Sequence, residues 1–135
     1  MKTSYLENDL IKLRREFHSQ PALNFDVTET SKKIASILES SNIEVHNNIG
    51  RTGLVGVIKQ GNSTRSIGIR ADMDALPVTE VNTFDYKSKH DGSMHACGHD
   101  GHFTLALGAA HHLAEKDDLD GPAYLVFHPD EKQTQ

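Results

Sequence analysis

The sequence predicts an α/β layered domain. Three observations carry that reading: helical periodicity through the first 41 residues, a change to strand-like apolar runs after Asn42, and one later helical stretch between two such runs. The chain has 135 residues, one domain's worth and enough to bury a core, so residues 1–135 are read as a single unit.

Ser4-Tyr-Leu-Glu7 has the form of a capping box, and Leu6, Leu10, Leu13 and Phe17 follow at helical spacing with charges between them. Pro21 ends that helix near Gln20. Asp26-Val-Thr-Glu29 marks a second helix start, with Ile34, Ile37, Leu38 and Ser41 along its inner face. Ile43, Val45 and Ile49 then read as a short strand, and Leu54, Val55, Val57 and Ile58 as another. Gln60-Gly-Asn-Ser-Thr64 is a turn cluster before a third strand, Ser66–Ala71, so residues 54–71 are expected to form a hairpin. Residues 78–94 are polar and irregular, as in a surface loop. Phe103 to about Ala114 is helical, with Leu105, Ala106, Ala109, Ala110 and Leu113 on one face, and Asp117–Pro122 breaks it. Ala123–Phe127 is a short buried strand.

Composition narrows the function classes. Hydrophobic residues make up 36% and charged residues 24%, as in a folded globular chain rather than a disordered one. A net charge of −5 with no basic block argues against a nucleic-acid partner. No apolar run reaches the ~18 residues that span a bilayer, so no membrane partner is expected. The first ten residues lack the apolar stretch of a secretory signal. A single cysteine forms no internal disulfide, which fits a reducing, cytoplasmic setting.

Three polar clusters each follow a strand or open a helix: Asp72/Asp74, Cys97/His99, and His128 to Glu131. Active sites of open α/β sheets gather beyond the carboxyl ends of strands, so one rim can collect all three. The densest stretch is His95-Ala-Cys-Gly-His-Asp-Gly-His-Phe103. Thiolate and imidazole bind borderline-soft divalent ions, and alternate residues of an extended segment share a face. His95, Cys97 and His99 can therefore converge on one ion; a buried thiol beside a hydrogen-bonded histidine fits the same short pattern. His102 either contacts substrate or caps the helix, and Asp100 either caps it or orients an imidazole. Asp72 and Asp74 either shape a turn before Pro77 or supply the carboxylate that ligating histidines commonly bond. Glu131, read alone, is a surface carboxylate; beside a metal-activated water it is a general base.

Taken in order, several motifs resemble the amidohydrolase branch of the aminoacylase and carboxypeptidase-like metallopeptidases, which includes hippurate hydrolases and N-acyl-amino-acid amidohydrolases. They are Leu13-Arg-Arg-Glu-Phe-His-Ser-Gln-Pro-Ala-Leu23, Gly50-Arg-Thr-Gly53, Ile69-Arg-Ala-Asp-Met-Asp-Ala-Leu-Pro77, His90–His102 and Val126-Phe-His-Pro129. The resemblance implies a zinc-peptidase-like three-layer α/β catalytic domain with a mixed sheet, here without the family's inserted lid and dimerisation domain. It implies divalent metal, zinc or manganese, as a pair of ions in the full enzyme. It makes Cys97 and His99 metal ligands, Asp74 the carboxylate that orients the site, and Glu131 the general base. The implied reaction is hydrolysis of the amide bond of an N-acyl amino acid or related conjugate, with Glu131 deprotonating the attacking water and passing the proton to the leaving amine.

The sequence departs from that pattern in one place. Where the family reads Pro-Ala-Glu-Glu, with the second Glu a metal ligand, this chain has Pro129-Asp-Glu-Lys132. A lysine ammonium has no lone pair for a metal. The family's two further histidine ligands lie downstream of the matched stretch. The chain is therefore expected to be the N-terminal portion of such an enzyme, inactive by itself, with an open sheet edge that favours self-association. The alternative from another class is a catalytically inactive remnant that acts as a metal-binding or interaction domain.

Overall fold

A computed structural model describes residues 7–23, 26–116 and 118–129. Helical spacing of apolar residues builds α1 (Glu7–His18) and α2 (Thr28–Ser40), with acidic residues in the first turn of each to complement the helix dipole. The strands are β1 (Glu44–Ile49), β2 (Gly53–Gln60), β3 (Ile67–Asp72) and β4 (Gly121–His128), and α3 (His99–Glu115) lies between the last two. Together they form a four-stranded sheet of order β1-β2-β4-β3. β1 and β2 are antiparallel, β2 and β4 are antiparallel, and β3 and β4 run parallel. Parallel neighbours need a long crossover, and α3 lies on it.

Alternation along the strands sets which face is buried. Leu54 and Ile58 of β2, Ala71 of β3, and Ala123, Leu125 and Phe127 of β4 join Phe17, Val27, Ile34, Leu38, Phe103 and Leu107 from the helical side in one core. Phe17 meets Phe103 edge-on with centroids 4.6 Å apart, tying α1 to α3. Glu44, His46, Arg70 and Tyr124 are exposed on the strands. β3 is an edge of this sheet, and Ile67 there is 54% exposed.

Two expectations change. Residues 54–71 are not a hairpin: β4 inserts between β2 and β3, and the antiparallel neighbours joined by a short turn are β1 and β2. The turn cluster instead wraps the start of β4, where the Asp120 carboxylate accepts the Asn62 and Ser63 N–H groups at 2.9 and 3.1 Å. Finally, α3 begins at His99, four residues before Phe103, because Gly98 takes the left-handed conformation (φ 88°) at the N-cap and His102 N–H bonds the Gly98 carbonyl at 3.1 Å. Residues 78–94 carry no regular element, as expected of a loop. Ser4 and Leu6 of the expected capping box lie outside the described residues.

Candidate metal centre

Asp74 is placed by its neighbours. Beyond the end of β3, Met73 N–H bonds the His128 carbonyl at 2.8 Å and Ala75 N–H bonds the Ala22 carbonyl at 2.7 Å. Leu76 and Met94 exchange two main-chain bonds of 2.9 and 3.0 Å. That bridge brings the turn holding His95, Cys97 and Gly98 against the 73–76 segment, so two of the three sequence clusters meet. In the third cluster, His128 stands opposite Asp72 in the β3–β4 register.

His99 is the best-held member. Its Nδ1 lies 2.8 Å from the Asp74 carbonyl oxygen and 3.1 Å from the Asp74 carboxylate, with both side chains almost fully buried. Both neighbours are acceptors, so Nδ1 carries the hydrogen and donates it. In a neutral imidazole the lone pair then belongs to Nε2, the tautomer that metal-ligating histidines take when a carboxylate or carbonyl holds the other nitrogen. Asp74 and not Asp72 plays this part. Asp72 pairs with Arg70 at 2.9 Å and stands 3.5 Å from His128 Nδ1.

Cys97 is exposed, which removes the reading as a buried structural thiol. His95 does not join it. That ring is 4% exposed, packed against Phe103 (centroids 5.8 Å) and His18 (6.4 Å), and neither of its nitrogens has a hydrogen-bond partner among the described residues. Burial lowers the His95 pKa to about 4, with the Asp100 charge opposing and His18 adding to the shift. Among the described residues no group of three or more His, Cys, Asp or Glu side chains gathers to hold an ion. The expected convergence of His95, Cys97 and His99 therefore does not form. Glu131 and Lys132 lie outside the described residues. An exposed thiol two residues from an imidazole whose far nitrogen is tied to a carboxylate is a donor set that fits a divalent ion such as zinc. His102 is exposed in the first turn of α3, its ring 6.0 Å from that of His99.

Sequence reasoning missed the polar cluster beneath this turn. His18 Nδ1 lies 2.8 Å from Asp100, which also takes Arg14 Nε at 3.1 Å. His18 Nε2 faces both Glu80 oxygens at 3.1 and 3.2 Å. Burial pushes the Glu80 carboxyl up, but hydrogen bonds from Asn82, the Ser88 N–H and His18 outweigh it and hold the group below the usual range. A signal was present, since His18 follows Phe17 on the inner side of α1, where a charged or polar residue calls for a partner.

A model of peptidase family M20/M25/M40 matches residues 68–134, the stretch that holds all three strand-end clusters. Hippurate hydrolase of Campylobacter jejuni is 47% identical over 127 residues, covering 94% of this chain and 33% of that protein. The chain belongs to the M20 peptidase family. Another relative by sequence, IAA-amino acid hydrolase ILR1-like 5 of Arabidopsis thaliana, is 40% identical, covering 91% of this chain and 28% of that one. Among solved structures, the Bacillus subtilis YXEP protein, described as a dinuclear metal binding peptidase from the M20 family, superposes with a TM-score of 0.86 at 40% identity, covering 90% of this chain and 34% of its own. The mixed α/β sheet is thus that of M20 catalytic domains, and this chain spans about a third of the length of the relatives it matches. No helix among the described residues is long and apolar enough to cross a membrane.

Proposed function

We propose that this chain carries part of the metal centre of a cytoplasmic amidohydrolase that cleaves the amide bond of N-acyl amino acids or related conjugates. The observation that carries the reading is the double hold of Asp74 on His99 Nδ1, which turns the opposite ring nitrogen into a ligand. Cys97 supplies the second ligand and Glu131 the base. The named substrates of the relatives, hippurate and IAA-amino acids, share an acyl group joined to an amino acid through an amide.

Cys97 and His99 would hold a divalent ion, zinc or manganese, which when bound would supply Lewis acidity toward a carbonyl and water. The chain's own residues do the rest. Asp74 fixes the His99 tautomer. Glu131 takes a proton from the attacking water and returns it to the leaving amine. Lys132, standing where the family resemblance places a carboxylate ligand, favours a second reading in which the 135-residue chain binds metal weakly and does not turn over substrate.

A chimera tests the first reading. This chain replaces the matching third of the Campylobacter hippurate hydrolase, with Lys132→Glu to restore the carboxylate. Hydrolysis of hippurate that is lost on Glu131→Gln and on Cys97→Ser supports it. A folded chimera without turnover contradicts it.

A further inference from the structure

Cys97 and His99 hang from two different supports. Cys97 follows the 78–94 loop through Met94, and His99 opens α3. Between the loop and the helix run residues 95–98, with Gly98 in the left-handed conformation and His95, whose ring nitrogens make no hydrogen bond among the described residues. The Leu76–Met94 bridge and the hold of Asp74 on His99 fasten the two ends of the turn to the 73–76 segment. A second fastening comes from α1.

We propose that His18 is a positioning residue for the metal-ligand turn, bonding one carboxylate from each support: Asp100, which follows His99 on α3, and Glu80 on the loop that leads to Cys97. The inference rests on the reading of Cys97 and His99 as ligands. Its geometry is direct. His18 stands 82 residues before Asp100 and 62 before Glu80, yet lies 2.8 Å from the first and 3.1 Å from the second. All three side chains are nearly sealed, at 3% exposure for His18 and 2% for each carboxylate. Both ring nitrogens face carboxylate oxygens, which can only accept, so a nitrogen that carries hydrogen donates it.

Removing the ring leaves two buried carboxylates facing one another across the gap it filled. Arg14 still pairs with Asp100, and Asn82 and the Ser88 N–H still bond Glu80. Each support therefore keeps its own partners, and what is lost is the side-chain link between them through α1. The spacing between Cys97 and His99 then rests on the Gly98 backbone, the Leu76–Met94 bridge and the hold of Asp74 on His99.

Two readouts test this on the 135-residue protein. The first is Co²⁺ titration followed by the thiolate-to-cobalt charge-transfer band. The second is amide hydrogen exchange across residues 95–102, which needs no metal. His18→Ala is compared with Ser41→Ala, which removes a side-chain bond of 2.9 Å between Ser41 and His111 of α3, away from the turn. We expect His18→Ala to weaken Co²⁺ binding at least about tenfold, as lost support of a metal ligand does. Exchange should rise across 95–102 in that variant and not in Ser41→Ala, whose Co²⁺ affinity stays at the wild-type level. His18→Gln, which keeps one donor, should fall between, and is read instead if His18→Ala does not fold. Unchanged exchange across the turn in a folded His18 variant, or equal losses in Ser41→Ala, overturns the proposal. A band that survives Cys97→Ser overturns the ligand reading instead, and the exchange data then judge the clamp by themselves.

Discussion

Asp74 reaches the same nitrogen of His99 with two oxygens, one from its main chain and one from its side chain. The carbonyl contact survives any substitution, so the carboxylate's share can be isolated. Asp74→Ala should lower divalent-ion affinity by roughly 10- to 100-fold while the protein stays folded. Competition against a chromophoric chelator reads it. Equal affinity in the two proteins would show that the carboxylate does not tune the ligand.

Acidification should destabilise the fold before ordinary carboxylates titrate. The His95 pKa falls from 6.5 to about 4 on burial, so the unfolded chain binds more protons across that window. The stability this gives is complete above pH 6.5 and is lost as pH falls towards 4. At about 1.4 kcal/mol per unit the loss is on the order of 3 kcal/mol. Glu80, also depressed, acts in the same direction at lower pH. Urea denaturation from pH 7 to 4 measures it, and His95→Leu should flatten the upper part of the curve. A wild-type profile flat over that window would contradict the buried neutral ring.

Phe103 is fully buried where α1, α3 and the His95 turn meet. Phe103→Ala should cost about 3–5 kcal/mol in urea denaturation. A loss below about 1 kcal/mol would mean the contact with Phe17 is not part of the folded core.

At the other end of the sheet, Gly121 has φ 109°, and a Cβ placed there would run into the Arg65 carbonyl oxygen. A methyl group there is both strained and blocked by backbone. Gly121→Ala should destabilise by more than about 1 kcal/mol, detected as a lower urea midpoint. An unchanged midpoint would mean that the 61–65 turn does not seat on β4.

The open β3 edge, with Ile67 exposed on it, should favour self-association. Light scattering should give a mass above the 14.9 kDa of one chain, and Ile67→Lys should reduce it. A single-chain mass at high concentration would contradict this.

The elements were legible in the sequence where the signal is local. Leu10, Leu13 and Phe17 announce α1, and the run Ala123–Phe127 announces β4. Pairing was not legible, because a strand's pattern shows that it is a strand and not which strand it joins. The turn at 60–64 looked like a hairpin closure, and only the fold shows Asp120 binding it. The start of α3 was hidden by Gly98 and Gly101, which weaken helical propensity where the chemistry sits. At the site, the Cys97/His99 pattern marked the turn that packs against Asp74, but period-two reasoning added His95, which does not join them because the segment is not an extended strand. The partnership of His18 with Asp100 and Glu80 spans too much sequence for any local pattern to reveal it.

The central claim is that Cys97 and His99 hold one divalent ion. X-ray absorption at the zinc edge of the zinc-loaded protein tests it most directly. The account predicts one sulfur near about 2.3 Å together with nitrogen or oxygen near about 2.0–2.1 Å, the sulfur vanishing in Cys97→Ser. A wild-type shell of nitrogen and oxygen alone would contradict it.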